Sequence, residues 1–119
     1  MKIQGFGKFL TEKRKAKDIT LRRMAELLDI SPAYLSDIEK SRRNPPLNML
    51  EDMAKVLQLS DEEKDNMYDL AGEDRDEISP DLPDYIKDKP IVRAALRKAS
   101  RKNVSDEEWE EFIKKLDEE

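Results

Sequence analysis

Cysteine and histidine are both absent from the 119 residues, and glycine occurs only three times. Without histidine and cysteine, the chain lacks the commonest general base, the commonest neutral metal ligands and the best nucleophile. Gly5, Gly7 and Gly72 are too scattered to form a glycine-rich phosphate loop. We therefore predict that the protein is not an enzyme, and we expect neither a cofactor nor a metal site.

Long apolar runs are also missing. No stretch approaches the roughly 20 apolar residues that a membrane span needs, and the first ten residues are too polar for a signal peptide. The lack of cysteine excludes disulfides. These features favour a cytoplasmic protein without membrane contact. A chain of 119 residues has room for one domain and a small appended element.

Charge is abundant and unevenly distributed. Charged residues make up 43% of the chain, and the formal net charge is −5. Residues 1–60 hold 12 lysines and arginines against 8 acidic residues, whereas the remainder holds 11 against 20. An acidic protein can still bind DNA when its cations gather on one face, because salt limits the reach of distant charges to about 8 Å.

An amphipathic pattern begins at Thr20. Leu21, Met24, Ala25 and Leu28 recur at helical spacing with charged residues between them. Thr20 occupies the position of an N-cap, where its hydroxyl can accept from an amide of the first turn. The spacing predicts a short helix with one apolar face.

The segment Asp29-Ile30-Ser31-Pro32 interrupts this pattern. Pro32 disfavours a helical conformation at Ser31 and suits the first position of a new helix. We predict that Ser31 caps a second helix over residues 32–40, with Leu35 and Ile38 turned towards the core. Two short helices joined by a tight turn, followed by a basic loop, are typical of a DNA-binding device.

The stretch resembles the helix-turn-helix of the phage-repressor or XRE family of bacterial DNA-binding proteins. Ala25 matches the tight contact between the two helices, and Asp29 stands at the turn position that glycine usually holds. The resemblance extends over roughly residues 4–72, with Phe6 and Leu10 matching the first of five helices. It implies that Arg14 of the first helix pairs with Glu39 at the end of the recognition helix.

The resemblance also implies two sets of DNA-contacting residues. One set faces base edges and is called here the recognition surface: Ser31, Pro32, Ala33, Tyr34, Ser36 and Asp37. The other set is expected to contact phosphates: Thr20, Lys40, Arg42, Arg43 and Asn44. The recognition surface has no arginine, glutamine or asparagine, the side chains that supply most bidentate base contacts. We therefore expect modest direct readout, with dimer geometry or DNA shape adding specificity.

Further helices are predicted along the rest of the chain. We expect a first helix ending near Asp18, a fourth over residues 47–59, and a fifth that opens with a capping box at Ser60 and ends at Gly72. An acidic segment with prolines follows, which is either an extended linker or an ordered arm; we favour the arm. The expected fold is all-α, with a five-helix repressor-like DNA-binding domain at 1–72, the arm at 73–89 and a short helical C-terminal extension at 90–119.

The extension is predicted to hold two helices. The first is basic on one side, and the second opens with a capping box at Ser105. The second helix carries an apolar stripe at i, i+3, i+4 and i+7: Trp109, Phe112, Ile113 and Leu116. Two helices are too few for an independent core. They must pack on the N-terminal domain, on a second copy or on another protein.

Two functions remain open. The first is a sequence-specific transcriptional regulator, a repressor that binds double-stranded DNA as a homodimer on two half-sites. Its dimer interface would be formed either by the apolar stripe that begins at Trp109 or by the fourth and fifth helices. The second is an antitoxin or another interaction protein, whose acidic C-terminal half binds a protein partner. Asp29, Asp37 and the lack of amide or arginine side chains on the recognition surface favour the second.

Overall fold

The computed structural model describes residues 5–118, so the first four residues of the predicted DNA-binding domain and the last residue of the extension lie outside the described part. Within it there are eight α-helices and no strand. They are α1 (Gly5–Ala16), α2 (Leu21–Leu28), α3 (Pro32–Glu39), α4 (Leu50–Leu57), α5 (Asp61–Asp74), α6 (Pro83–Lys87), α7 (Pro90–Arg101) and α8 (Asp106–Asp117). The predicted all-α fold class is confirmed.

The chain divides into two compact units, one ending at Pro83 and one beginning at Asp84. In the first unit, α1 packs against α3 and α5, while α2 packs against α3 and α4. The apolar faces of these helices form one core, made of Phe6, Phe9, Leu10, Met24, Ala25, Leu35, Ile38, Leu50, Met53, Ala54, Leu57, Met67 and Ala71. Each fully buried leucine, methionine or phenylalanine contributes about 1.5–3 kcal/mol. Tertiary packing therefore holds helices that are too short to be stable alone.

The helix starts follow the predicted caps. The Ser60 hydroxyl accepts from the Glu63 amide, and the Glu63 carboxylate accepts from the Ser60 amide. Ser105 and Glu108 form the same reciprocal pair at the start of α8. Both capping boxes predicted from the sequence are confirmed. They satisfy amides that the first helical turn leaves unpaired.

The first helix ends close to its predicted limit, whereas the fourth begins later than predicted. α1 ends at Ala16, two residues before Asp18, which takes a left-handed conformation with φ 60°. α4 begins at Leu50 rather than Leu47, since a 3₁₀ turn over Leu47–Met49 precedes it. Such tighter turns are common at helix termini.

The predicted end of the fifth helix at Gly72 was also wrong, because α5 continues to Asp74. Gly72 instead allows the chain after α5 to fold back on the helix. A Cβ at Gly72 would lie 2.8 Å from the Glu77 carbonyl oxygen and 2.9 Å from that of Ile78. The Glu77 amide donates to the Gly72 carbonyl at 2.8 Å. The first residues after α5 are therefore ordered against it.

Carboxylates tie α5 to two other helices. Lys13 of α1 donates to Glu63 at 2.6 Å, and the Tyr68 hydroxyl donates to Glu51 of α4 at 2.7 Å. The hydrogen bond from Lys13, followed by that from the Ser60 amide, lowers the pKa of Glu63 to about 2. Because its pKa is lowered in the folded chain, the charged Glu63 carboxylate stabilises the fold. This stabilisation is fully present above the ordinary glutamate pKa and is lost as the pH falls towards 2.

At Gly7 the backbone of α1 lies directly against the end of α3. A Cβ at Gly7 would lie 2.5 Å from the Glu39 carbonyl oxygen, 2.9 Å from that of Ile38 and 2.7 Å from the Ser41 hydroxyl oxygen. Backbone carbonyls cannot move aside without shifting a helix. We expect Gly7→Ala to lower the free energy of unfolding by about 1–3 kcal/mol, as overpacking does. Urea unfolding followed by circular dichroism measures this loss.

Gly5→Ala is the matched control. The nearest neighbour of its new Cβ would be the carboxylate of Asp74, at 2.7 Å, which accepts from the Phe6 amide at 2.9 Å. We expect the control to cost less than Gly7→Ala, because a side-chain carboxylate can shift more easily than the backbone carbonyls that face Gly7, while the gain in helix propensity is common to both variants. A Gly7→Ala variant as stable as the wild type would show that α1 and α3 can separate at Gly7 without loss, and equal losses in the two variants would show that the backbone contact at Gly7 is not the cause.

Candidate nucleic-acid interface

The turn between α2 and α3 is built by local hydrogen bonds. The Thr20 hydroxyl accepts from the Arg23 amide at 3.0 Å and caps α2. Asp29 ends α2 in the left-handed region, with φ 58° and ψ 45°, and its amide donates to the Glu26 carbonyl at 3.1 Å. Aspartate tolerates this conformation better than most residues other than glycine. The turn is thus made without the glycine that usually occupies it.

Ser31 and Pro32 start α3 as the sequence predicts. The Ser31 hydroxyl accepts from the Tyr34 amide at 3.1 Å, and Pro32 is the first helical residue. Leu35 and Ile38 are buried and fix α3 on the core.

The residues of the recognition surface differ in exposure. Its first three residues, Ser31, Pro32 and Ala33, are exposed, whereas Tyr34, Ser36 and Asp37 are half-exposed, and none of the six is buried. Solvent reaches the N-terminal turn of α3 most freely, and this is the part of a recognition helix that meets base edges.

Two arginines after α3 return to the recognition surface. The Arg42 guanidinium lies 3.6 Å from the Asp37 carboxylate, and the Arg43 guanidinium lies over the Tyr34 ring, 5.1 Å from its centroid. The Arg42 amide also donates to the Asp37 carbonyl at 2.8 Å. Helical periodicity does not predict these contacts, because the chain leaves the helix and reverses at Ser41, which has φ 63°. They hold two cations beside the half-exposed end of the recognition surface.

The basic loop, Arg42–Asn44, is fixed to the core by the residue that follows it. Asn44 is exposed, but Pro45 directly after it is fully buried. The Pro45 carbonyl accepts from Nη2 of Arg75, the residue that caps the end of α5, at 2.8 Å. A charged donor makes this a strong hydrogen bond. The Arg42–Asn44 loop therefore projects from a fixed base. No pattern in the sequence indicates that Arg75 contributes to it.

A mostly buried ion pair joins α1 to the end of α3. Arg14 donates to the two Glu39 carboxylate oxygens at 2.7 and 3.0 Å. Their side chains are 11% and 7% exposed. Arg14 also donates to the Ile19 carbonyl at 2.8 Å, and the Thr11 hydroxyl donates to Glu39 at 3.1 Å. The pair that the resemblance implied is present, and it is well hydrogen-bonded.

Lysines of α1 lie beside the same end of α3. Lys8 and Lys15 line an open groove together with Glu39 and Lys40. Neither lysine is among the residues predicted above to contact phosphates. The seven-residue spacing that puts both lysines on one side of α1 is the signal that could have found them.

The predicted interface of the C-terminal half lies on α8. Trp109, Phe112, Ile113 and Leu116 are all exposed, and the rings of Trp109 and Phe112 meet edge to face with centroids 6.1 Å apart.

No helix in the described residues 5–118 is long and apolar enough to cross a membrane.

A helix-turn-helix family model matches residues 10–64. The crystal structure of the clp gene regulator ClgR from C. glutamicum aligns with a TM-score of 0.50 at 30% identity, covering 61% of this chain and 92% of that one. The chain belongs to the helix-turn-helix family of DNA-binding transcriptional regulators. The XRE-type resemblance is thus confirmed.

The names of curated relatives agree with this family assignment. HTH-type transcriptional regulators of two Mycobacterium tuberculosis strains, CDC 1551 / Oshkosh and H37Rv, are each 27% identical to it over 100 residues. The match covers 84% of this chain and 66% of each relative's length.

Proposed function

We propose that this helix-turn-helix regulator is a repressor that binds a two-fold symmetric operator as a homodimer. The observation that carries the proposal is the exposed start of α3 beside the anchored Arg42–Asn44 loop. In this arrangement α3 enters the major groove, while the loop fixes register on the phosphate backbone. Thr20 and Lys40 add phosphate contacts at the two ends of the motif.

The base contacts follow from the side chains available. Ala33 can contact a thymine methyl group, Asp37 can accept from a cytosine amino group, and Ser36 can serve a base or a phosphate. Arg42 competes for the Asp37 carboxylate, since the two already lie 3.6 Å apart. Direct readout is therefore modest, and half-site spacing and DNA shape supply the remaining specificity.

Selection from random duplexes with the purified full chain tests this function. We expect enrichment of an inverted repeat with half-sites about 10 base pairs apart, centre to centre. The selected site placed over a promoter should lower expression of a reporter gene when the protein is present. No enrichment at low salt would overturn sequence-specific binding, a single half-site would overturn the dimer, and raised expression would overturn repression.

A second candidate function is supported by the exposed apolar stripe on α8. In this alternative the C-terminal half binds another protein, as an antitoxin or a similar interaction protein does, and DNA binding is secondary. A chain that stays monomeric at high concentration, with the emission wavelength of a solvent-exposed Trp109 side chain, would favour the alternative. A stable homodimer with Trp109 buried favours the repressor.

A further inference from the structure

The two long helices of the second unit have no core of their own. Neither α7 nor α8 contains a buried residue. Large apolar side chains are exposed on both helices, from 37% for Trp109 to 76% for Ile91. Helices of 12 residues are marginal in water without packing. Another surface must cover these apolar faces for the helices to be stable.

Opposite charges are separated onto the two helices. α7 carries four basic residues and no acidic one, whereas α8 carries six acidic residues and two lysines. Among the described residues no ion pair joins α7 to α8, and the pair within α8 is Lys114 with Glu111. Two charged groups are used within the chain, since Arg93 donates to the Lys87 carbonyl at 2.8 Å and Glu108 completes the capping box of α8. Most of the other charges of the two helices are left to pair with a partner of opposite sign.

The charges that flank the apolar faces are complementary. On α7, Lys98 follows Ile91 by seven residues. Lys102, the C-cap residue directly after α7, follows Lys98 by four, so both lysines lie along one side of the apolar face. On α8, Glu110 and Asp117 each follow a residue of the apolar stripe and are themselves seven residues apart. The edge of the α7 face is basic, and the edge of the α8 face is acidic.

We propose that a second copy of the chain covers these faces, with α7 of each copy packed against α8 of the other in a four-helix bundle. A two-fold axis brings the Lys98 and Lys102 edge of one copy to the Glu110 and Asp117 edge of its partner, and repeats the contact in reverse. Packing α7 on α7, or α8 on α8, would set like charges against each other. This inference rests on the proposed homodimer and adds its interface and the pairing of its helices.

Charge exchange in the full chain tests the bundle. We expect the wild type to sediment as a dimer at micromolar concentration. Lys98→Glu with Lys102→Glu should weaken self-association at least 10-fold, and so should Glu110→Lys with Asp117→Lys, because each double variant sets like charges together. An equimolar mixture of the two should regain dimerisation as a heterodimer, which native mass spectrometry identifies by its mass.

Matched controls carry the same charge changes on the outer sides of the helices. Arg97→Glu with Arg101→Glu keeps the four-residue spacing on α7. Glu111→Lys with Glu118→Lys, at the C-cap of α8, keeps the seven-residue spacing of the acidic pair. Both controls should remain dimeric. All the substituted side chains are exposed, and circular dichroism verifies that each variant retains its helices.

The possible outcomes separate the bundle from the proposed function. A wild-type chain that stays monomeric at every concentration overturns the bundle and shows that its own chain or another protein covers the faces. A dimer that withstands both exchanges, or a mixture that forms no heterodimer, also overturns it. In each of these cases, enrichment of a symmetric operator would still support the proposed function. A dimer that depends on the charge pairs but enriches no DNA sequence would overturn the proposed function and leave the bundle in place.

Discussion

Replacing Glu39 with glutamine is expected to lower the free energy of unfolding by about 3 kcal/mol, because it leaves the mostly buried Arg14 guanidinium without its counter-charge. Arg14 is 11% exposed and donates to both Glu39 oxygens. A loss of that size lowers the melting temperature of a small domain by on the order of 12 °C. Thermal and urea unfolding followed by circular dichroism measure both quantities.

Two comparison variants test whether the loss comes from leaving a buried charge unpaired. Glu26→Gln removes a carboxylate from an exposed ion pair, in which Arg23 and Glu26 are 60% and 64% exposed, and should cost less than about 1 kcal/mol. Replacing Arg14 and Glu39 together with methionine should cost less than removing Glu39 alone, since no buried charge is left unpaired. Equal losses for Glu39→Gln and Glu26→Gln would show that water reaches the Arg14 pair.

Replacing Arg42 and Arg43 together with alanine is expected to weaken binding to all DNA sequences by on the order of 10- to 100-fold at 0.1 M salt. Each lost phosphate contact reduces the slope of log affinity against log salt by about 0.9, so the slope should become shallower by nearly 2. Fluorescence anisotropy titrations at several salt concentrations, on the selected operator and on random DNA, measure both effects.

Arg97→Ala with Arg101→Ala is the control, because it removes two arginines outside the helix-turn-helix. We expect it to leave the salt slope unchanged. If the Arg42 and Arg43 variant kept the wild-type slope, the phosphate contacts would lie elsewhere, and Lys8 and Lys15 beside Lys40 would be the next to replace. If the variant lost affinity for the operator but not for random DNA, the two arginines would instead be assigned to base recognition, through Asp37 or Tyr34.

Much of the local architecture was predictable because it depends on neighbours in the chain. Thr20, Ser31 with Pro32, and the two capping boxes each begin a helix through contacts within four residues. The apolar stripes of α2 and α4 likewise became the core. Helix ends were less predictable, since Asp18 and Gly72 are governed by backbone conformation and by a chain segment that folds back.

The candidate interface was predictable in its position but not in its contacts. Spacing and resemblance placed α3 and the basic loop, and they implied the Arg14 and Glu39 pair. They gave no hint that Arg43 lies over Tyr34 or that Arg42 approaches Asp37. Such contacts depend on the path of the chain after Ser41, which no periodic pattern encodes.

The sequence by itself determined the helices, the apolar faces that build the core and the separation of charge between α7 and α8. Periodicity and caps act over a few residues, so they are visible in the chain alone. Only the tertiary structure decided that Gly7 touches the end of α3 and that Arg75 holds the Pro45 carbonyl, 30 residues away in sequence. Contacts over such separations arise when packed helices bring distant backbone groups together, and the chain carries no local signal for them.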